Sequence, residues 1–181
     1  MCLGDYQYLL NKLRVATYGP EYKIVVTCPH CLNENKEVVD LEAFMLHTFD
    51  EKLTDLLTIQ LPKTEVTVGL KLQTPRSLDE TVIKRKEMIK KSGNLESDPT
   101  VLFLLHSLVD TVDGKSLEFI EKDNFIRKLP MADTNKILNT AKKLNDSIGY
   151  DLTLDFTCNE CGLDYTSSFR ITDEFFGPTE G

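Results

Sequence analysis

Apolar positions along the chain alternate between the helical period and a strict period of two, and each change of period marks an element. Tyr6, Leu9, Leu10 and Leu13 recur at helical spacing, which predicts a short amphipathic helix ended by Gly19-Pro20. Lys23 to Thr27 (KIVVT) and Glu37 to Leu41 (EVVDL) read as strands, with turn chemistry at Asn33-Glu34-Asn35 between them. Leu56 to Leu61 and Val66 to Leu72 read as a second pair across Pro62-Lys63-Thr64, and Val66, Val68, Leu70 and Leu72 put one face on a core.

The helical period then takes over. Ser77-Leu78-Asp79-Glu80 has the form of a capping box and opens a charged helix through about Lys91, closed by Gly93-Asn94. Asp98-Pro99 caps the next helix, whose buried face is Val101, Leu104, Leu105 and Leu108. Asp113-Gly114 makes a turn, and Phe119 to Lys128 and Thr134 to Leu144 predict two more helices around a break at Leu129-Pro130. After Gly149 the period returns to two: Leu152, Leu154 and Phe156 lie on a strand, and Thr166 to Ile171 is its partner.

Two of these strand pairs carry the same tip. TCPHC spans Thr27 to Cys31 and TCNEC spans Thr157 to Cys161, and each lies between a strand and its return. The pattern predicts an α+β fold in one domain, 1–181. Its β unit resembles a zinc ribbon built from both chain ends, 22–41 and 150–172, with a β-hairpin and a mainly helical insertion, 76–148, between them. The likeness of the two hairpins is a structural pseudo-repeat, because short β-ribbons converge without common ancestry.

Composition narrows what such a chain does. Hydrophobic residues at 41% and charged residues at 28% suit a globular protein. The formal charge of −8 sets an overall repulsive field against phosphate, so nucleic acid is disfavoured as a partner. The longest apolar run, Val101 to Leu105, is far short of the roughly 20 residues a membrane-spanning helix needs. The N-terminus lacks the basic and apolar regions of a secretory signal, which places the thiols in a reducing cytoplasm.

In that compartment four cysteines on two hairpin tips point to metal. Zinc takes four ligands in a tetrahedron, and a Cys-x-x-Cys turn brings two sulfurs close enough to share one ion. Cys28, Cys31, Cys158 and Cys161 are the candidate ligands of one structural Zn2+ per chain; spacing alone does not separate zinc from iron. The halves stand about 125 residues apart, against roughly 15 to 20 in an ordinary ribbon. Closing that loop costs roughly 4 kcal/mol plus a constant, whereas a structural zinc site contributes on the order of 10 to 16 kcal/mol. Disulfides, for which no oxidising signal exists, and unliganded thiols are the alternatives. A redox Cys-x-x-Cys expects a following helix, where a turn and strand follow here.

Nothing else in the sequence converges on a reaction. His30 sits inside the first pair as a turn residue, and His47 and His106 stand apart from any nucleophile and acid. Four thiolates make a closed site, unlike the open position of a catalytic zinc. Neither a phosphate-cradling glycine loop nor a triad signature is present, and no small-molecule substrate is implied. Phe175 and Phe176, beside Gly177-Pro178, are candidate partner-binding residues, with packing on the protein's own sheet as the alternative.

Four segments carry a family resemblance: VTCPHC; VTVGLKLQTPRSLDE; LLHSLVDTVDGKSLEFI followed by LPMADTNKIL; and FTCNECGLDYTSSFRITDEFFGP. In that order they resemble the baseplate proteins of contractile-tailed, T-even-like phages, the group of baseplate hub subunits and hub assembly proteins, over about Tyr22 to Pro178. The resemblance implies a non-enzymatic role in building the central hub of a tail baseplate. It also implies other hub or tail proteins as partners and a place in the host cytoplasm during assembly or in the virion tail. Longer members carry more sequence before the first cysteine pair. The reading from another class is a zinc-ribbon nucleic-acid adaptor, against which stand the acidic tips with Glu34, Glu160 and Asp164.

Overall fold

The computed structural model describes residues 1–92, 99–169, 171 and 173–177. In chain order the elements are α1 (Leu3–Tyr18), β1 (Glu21–Thr27), β2 (Glu34–Asp40), β3 (Leu46–His47), a 3-10 helix (Glu51–Leu57), β4 (Thr58–Gln60) and β5 (Thr67–Leu70). Then follow α2 (Pro75–Ser92), α3 (Thr100–Leu108), β6 (Val109–Val112), β7 (Lys115–Ser116), α4 (Phe119–Arg127) and α5 (Met131–Asp146). The chain ends with β8 (Gly149–Tyr150), β9 (Thr153–Thr157), β10 (Asp164–Ser168) and a 3-10 helix (Asp173–Phe176). The fold is a mixture of helix and strand. Gly93 and Asn94, expected to close α2, lie outside the described residues, as do Asp98, expected to cap α3, and Pro178.

Where the pattern predicts one domain with an insertion at 76–148, the chain divides into two compact units. One is Met1–Gly4 with Thr48–Ile148, and the other is Asp5–His47 with Gly149–Gly181. The segment between the two halves, hairpin and helices together, has its own core. Ile59, Leu61, Val68, Leu70, Leu105 and Ile137 are buried there together, under a four-stranded antiparallel sheet of order β4-β5-β6-β7.

In this first unit several predicted boundaries move. Leu56 and Leu57 belong to the 3-10 helix, not to a strand. The cap of α2 is Thr74, not Ser77. The Thr74 hydroxyl accepts from the Ser77 N–H at 3.1 Å, and the Ser77 hydroxyl accepts from the Thr74 N–H at 3.0 Å. Pro75 then occupies the first helical position, where its missing N–H costs nothing. Pro99 stands just before α3 and not inside it. The β6–β7 hairpin turns on Asp113 and Gly114, both at positive φ. Gly69 faces Thr111 across a register shift, where an added Cβ would lie 2.2 Å from the threonine hydroxyl. Fully buried Asp133 ties the start of α5 to the Pro62-Lys63-Thr64 turn, accepting from the Lys63 N–H at 2.8 Å and the Thr64 hydroxyl at 2.8 Å. Burial opposes its charge, yet these donors hold its carboxyl below the usual carboxylate range.

In the second unit β1 pairs antiparallel with β2 from Glu21↔Asp40 to Thr27↔Glu34, and β9 pairs with β10 from Thr153↔Ser168 to Thr157↔Asp164. Alternation along each strand follows the pleat and turns Val39, Tyr165 and their neighbours inward. Val39, Leu41, Phe44, Phe169 and Phe175 form its core. Helix α1 reverses the amphipathic expectation. Leu9 and Leu13 are 53% and 54% exposed, while Asn11 and Arg14 are 1% exposed. Asn11 Nδ2 donates to the Leu41 carbonyl at 3.2 Å and Arg14 Nε to the Phe175 carbonyl at 2.9 Å. The Arg14 guanidinium also lies 4.3 Å from the Tyr18 ring centre and 5.5 Å from that of Tyr22. Backbone acceptors and aromatic faces, which hydropathy does not count, set the buried side.

Candidate metal centre

Each cysteine pair sits where its hairpin must reverse. Beyond β1, the Cys28 N–H donates to the Asn33 carbonyl at 2.9 Å, and the Leu32 N–H donates back to the Cys28 carbonyl at 3.0 Å. Beyond β9, the Cys158 N–H donates to the Leu163 carbonyl at 3.0 Å, and the Gly162 N–H to the Cys158 carbonyl at 2.9 Å. Every group in the second set follows its counterpart by the same offset. Both turns need a left-handed residue at the same place, and Leu32 (φ 62°) and Gly162 (φ 70°) supply it.

The two turns face each other. Cys28 Sγ lies 3.8 Å from Cys161 Sγ, and Cys31 Sγ lies 3.5 Å from Cys158 Sγ. All four sulfurs fall within 4.8 Å of one another. A tetrahedron of metal–sulfur bonds of ~2.3 Å has edges of about 3.8 Å, so the donor set has the size a tetrahedral ion requires. A disulfide needs sulfurs at about 2.05 Å, and none of the four cysteines forms one. Cys28 and Cys158 are buried, whereas Cys31 and Cys161 face outward, and Tyr165, Val26 and Phe156 pack around the buried pair.

Electrostatics single out one sulfur. The Cys161 and Glu160 backbone N–H groups and the neighbouring thiols stabilise the Cys158 thiolate against burial, drawing it down to about 6. Cys31 goes the other way. The Asn33 N–H lowers it, but burial and the sulfurs of Cys158, Cys161 and Cys28 push it up to about 12.

Asn35 and Tyr165 are the site residues that sequence reasoning missed. Asn35 is 1% exposed; its Nδ2 lies 3.7 Å from Cys158 Sγ and 3.2 Å from the Tyr165 hydroxyl, while its Oδ1 accepts from the Asn159 N–H at 3.0 Å. One side chain thus touches a sulfur, the turn that holds it and the opposite hairpin. Its signal was an amide on the inward side of a strand, seven residues after Cys28, with Tyr165 at the same place after Cys158.

The other singled-out residues do not join the cluster. The His30 N–H lies 3.4 Å from Cys28 Sγ, and its exposed ring is not among the clustered ligand atoms. His47 is in β3, and His106, in α3, pairs with Asp123 at 3.0 Å. Phe175 is fully buried, in ring contact with Tyr22, Phe169 and Phe176, so self-packing describes it and an exposed docking role does not. Phe176 packs at the edge of the same core. No helix among the described residues is long and apolar enough to cross a membrane.

No curated protein and no solved structure matches the chain. The model of the family described as T4 bacteriophage base plate protein matches residues 2–177, nearly the whole chain, and the protein belongs to that family.

Proposed function

We propose that the protein is a non-enzymatic component, or an assembly factor, of the phage tail baseplate hub, folded around one structural zinc ion held by Cys28, Cys31, Cys158 and Cys161. The family match over 2–177 is the observation that carries the role. The metal reading is supported by four sulfurs at tetrahedral spacing. The two hairpins then form a zinc-ribbon-like unit, and the ion joins segments from both ends of the chain across the first unit. With all four positions occupied by sulfur, the ion binds no substrate and serves the fold alone. The protein meets its hub partners in the host cytoplasm while tails assemble and takes its place with them at the tail.

Native mass spectrometry of the protein purified with co-expressed tail proteins tests both parts in one intact mass. One zinc and a bound hub protein are the expected result. A metal-free chain with reduced cysteines overturns the metal site. Binding to DNA or RNA in place of tail proteins, with a steep salt dependence, overturns the role in favour of a nucleic-acid adaptor.

A further inference from the structure

The first unit holds a pocket of about 180 Å³ among α2, α3 and α4. Lys71, Lys84 and Lys122 line it, and Phe103 and Phe119 form apolar wall. Glu80 is the single carboxylate in the lining and is committed to Arg76 at 3.0 Å. Three lysines against one glutamate leave two positive charges in excess, in a chain whose overall charge is −8.

The cations are left over from the unit's own pairing. Lys122 Nζ donates to the Val109 carbonyl, which fixes the ammonium in place and leaves it donors to spare. Burial and the charge of Lys71 disfavour that ammonium, while the charge of Asp110 favours it. Among the described residues, none of the three lysines is in an ion pair. His106, also in the lining, has given its Nε2 to Asp123, which holds Arg127 as well at 2.7 Å. The hydroxyls of Ser77, Thr81 and Ser107 donate to the carbonyls of Thr74, Ser77 and Leu104, so their hydrogens are already used. The lysine ammoniums are therefore the charged donors that this lining offers an anion.

We propose that this pocket receives the carboxylate of an aspartate or glutamate from an acidic segment of a partner protein. The lysines supply charge-assisted donors to the carboxylate, and the rings of Phe103 and Phe119 lie against its aliphatic stem. Phe119 is stacked on His106 at 5.1 Å and is 62% exposed, and neighbouring Ile120 is 73% exposed, so the rim offers apolar contact beside the charge. The repulsion of the chain as a whole is screened beyond ~8 Å at physiological salt, which leaves the local lysine excess to decide what enters. The inference rests on the assembly reading for the existence of a partner and adds that partner's chemistry.

The test titrates the full protein with three separate probes: a short blocked peptide alternating glutamate with apolar residues, its glutamine counterpart, and inorganic phosphate. The His106 ring signals are read by NMR. A saturable shift is expected with the glutamate peptide and none with the glutamine peptide. In the variant Lys71→Gln/Lys84→Gln, whose exposed side chains can change without loss of the fold, affinity for the peptide falls about tenfold. An unchanged melting temperature confirms that the variant is folded. No shift with the glutamate peptide, or equal affinity in the variant, overturns the proposal. A shift with phosphate that the peptide cannot displace also overturns it and assigns the pocket to free anions. The probes contain no tail protein, so this result and the co-purification with tail proteins fail independently.

Discussion

The two cysteine hairpins make the same turn from different residues. Cys28 to Asn33 and Cys158 to Leu163 form matching hydrogen bonds at 2.9–3.0 Å and reverse through one left-handed residue each. They differ where the turn geometry is satisfied. The first hairpin has Leu32 in the left-handed position and the second has Gly162; the first sends Asn35 inward and the second Tyr165. Backbone shape and ligand spacing are thus shared, while strain and buried polarity are divided unequally. The cysteine spacing and the strand pairing set the turn, and other positions adapt to it.

The largest test removes a ligand from either side. If one ion joins the hairpins, Cys31→Ser and Cys158→Ser lose it alike, although one side chain faces outward and the other is buried. Each variant is expected to lose bound metal and at least several kcal/mol of stability in the second unit, because the ion's binding energy is folding energy. Metal content by mass and unfolding followed by circular dichroism check it. A buried-site penalty without an ion would instead make Cys158→Ser much worse than Cys31→Ser, and retained metal in either variant would break the comparison at its root.

A smaller effect separates the two inward residues. Asn35 bonds to the opposing turn and the opposing tyrosine and approaches a ligand sulfur, so Asn35→Leu leaves three groups of the second hairpin without their partner. It is expected to cost about 2–3 kcal/mol and to weaken metal binding roughly 10- to 100-fold. Tyr165→Phe removes one hydroxyl at the far end of the same contact and is expected to cost about 1 kcal/mol. Competition with a chelator ranks the two variants. Equal affinities would mean that the amide's contacts with the sulfur and with Asn159 contribute nothing beyond its bond to Tyr165.

How much of this was legible in the sequence follows from which interactions are local. The cysteine quartet, both hairpins and the helices α3, α4 and α5 were readable because spacing and period record them directly. The buried face of α1 was not. Its apolar stripe at Tyr6, Leu9 and Leu13 points outward because Asn11 and Arg14 find carbonyls at Leu41 and Phe175, contacts that span 30 and 161 residues. Strands β6 and β7 do not stand out in the sequence although Asp113-Gly114 is a strong hairpin signal, since the apolar run before them reads equally as helix. Asn35 reads as turn chemistry beside Asn33 and Glu34, whereas β2 begins at Glu34 and turns the Asn35 amide inward. Period reports faces and cannot report a hydrogen bond whose partner lies more than a hundred residues away.

The finest distinction lies between Leu32 and Gly162. A side chain at φ near +60° brings Cβ against the following carbonyl at a cost of roughly 1–2 kcal/mol, which glycine avoids. Gly162 has nothing within 4 Å of an added Cβ, so Gly162→Ala tests the backbone term without a clash. It is expected to destabilise the second unit by about 1 kcal/mol. The reciprocal change, Leu32→Gly, relieves the same strain but frees the unfolded chain, and the two effects nearly cancel to leave a net gain below about 1 kcal/mol. Leu32 is 75% exposed, so little burial is lost with its side chain. Thermal melts of both variants with metal bound read the pair together. Opposite signs follow if both turns are under the same backbone demand. A loss of stability in Leu32→Gly as large as that in Gly162→Ala would show that the leucine side chain stabilises its turn by contacts outweighing the strain, and that the two hairpins share a shape without sharing what holds it.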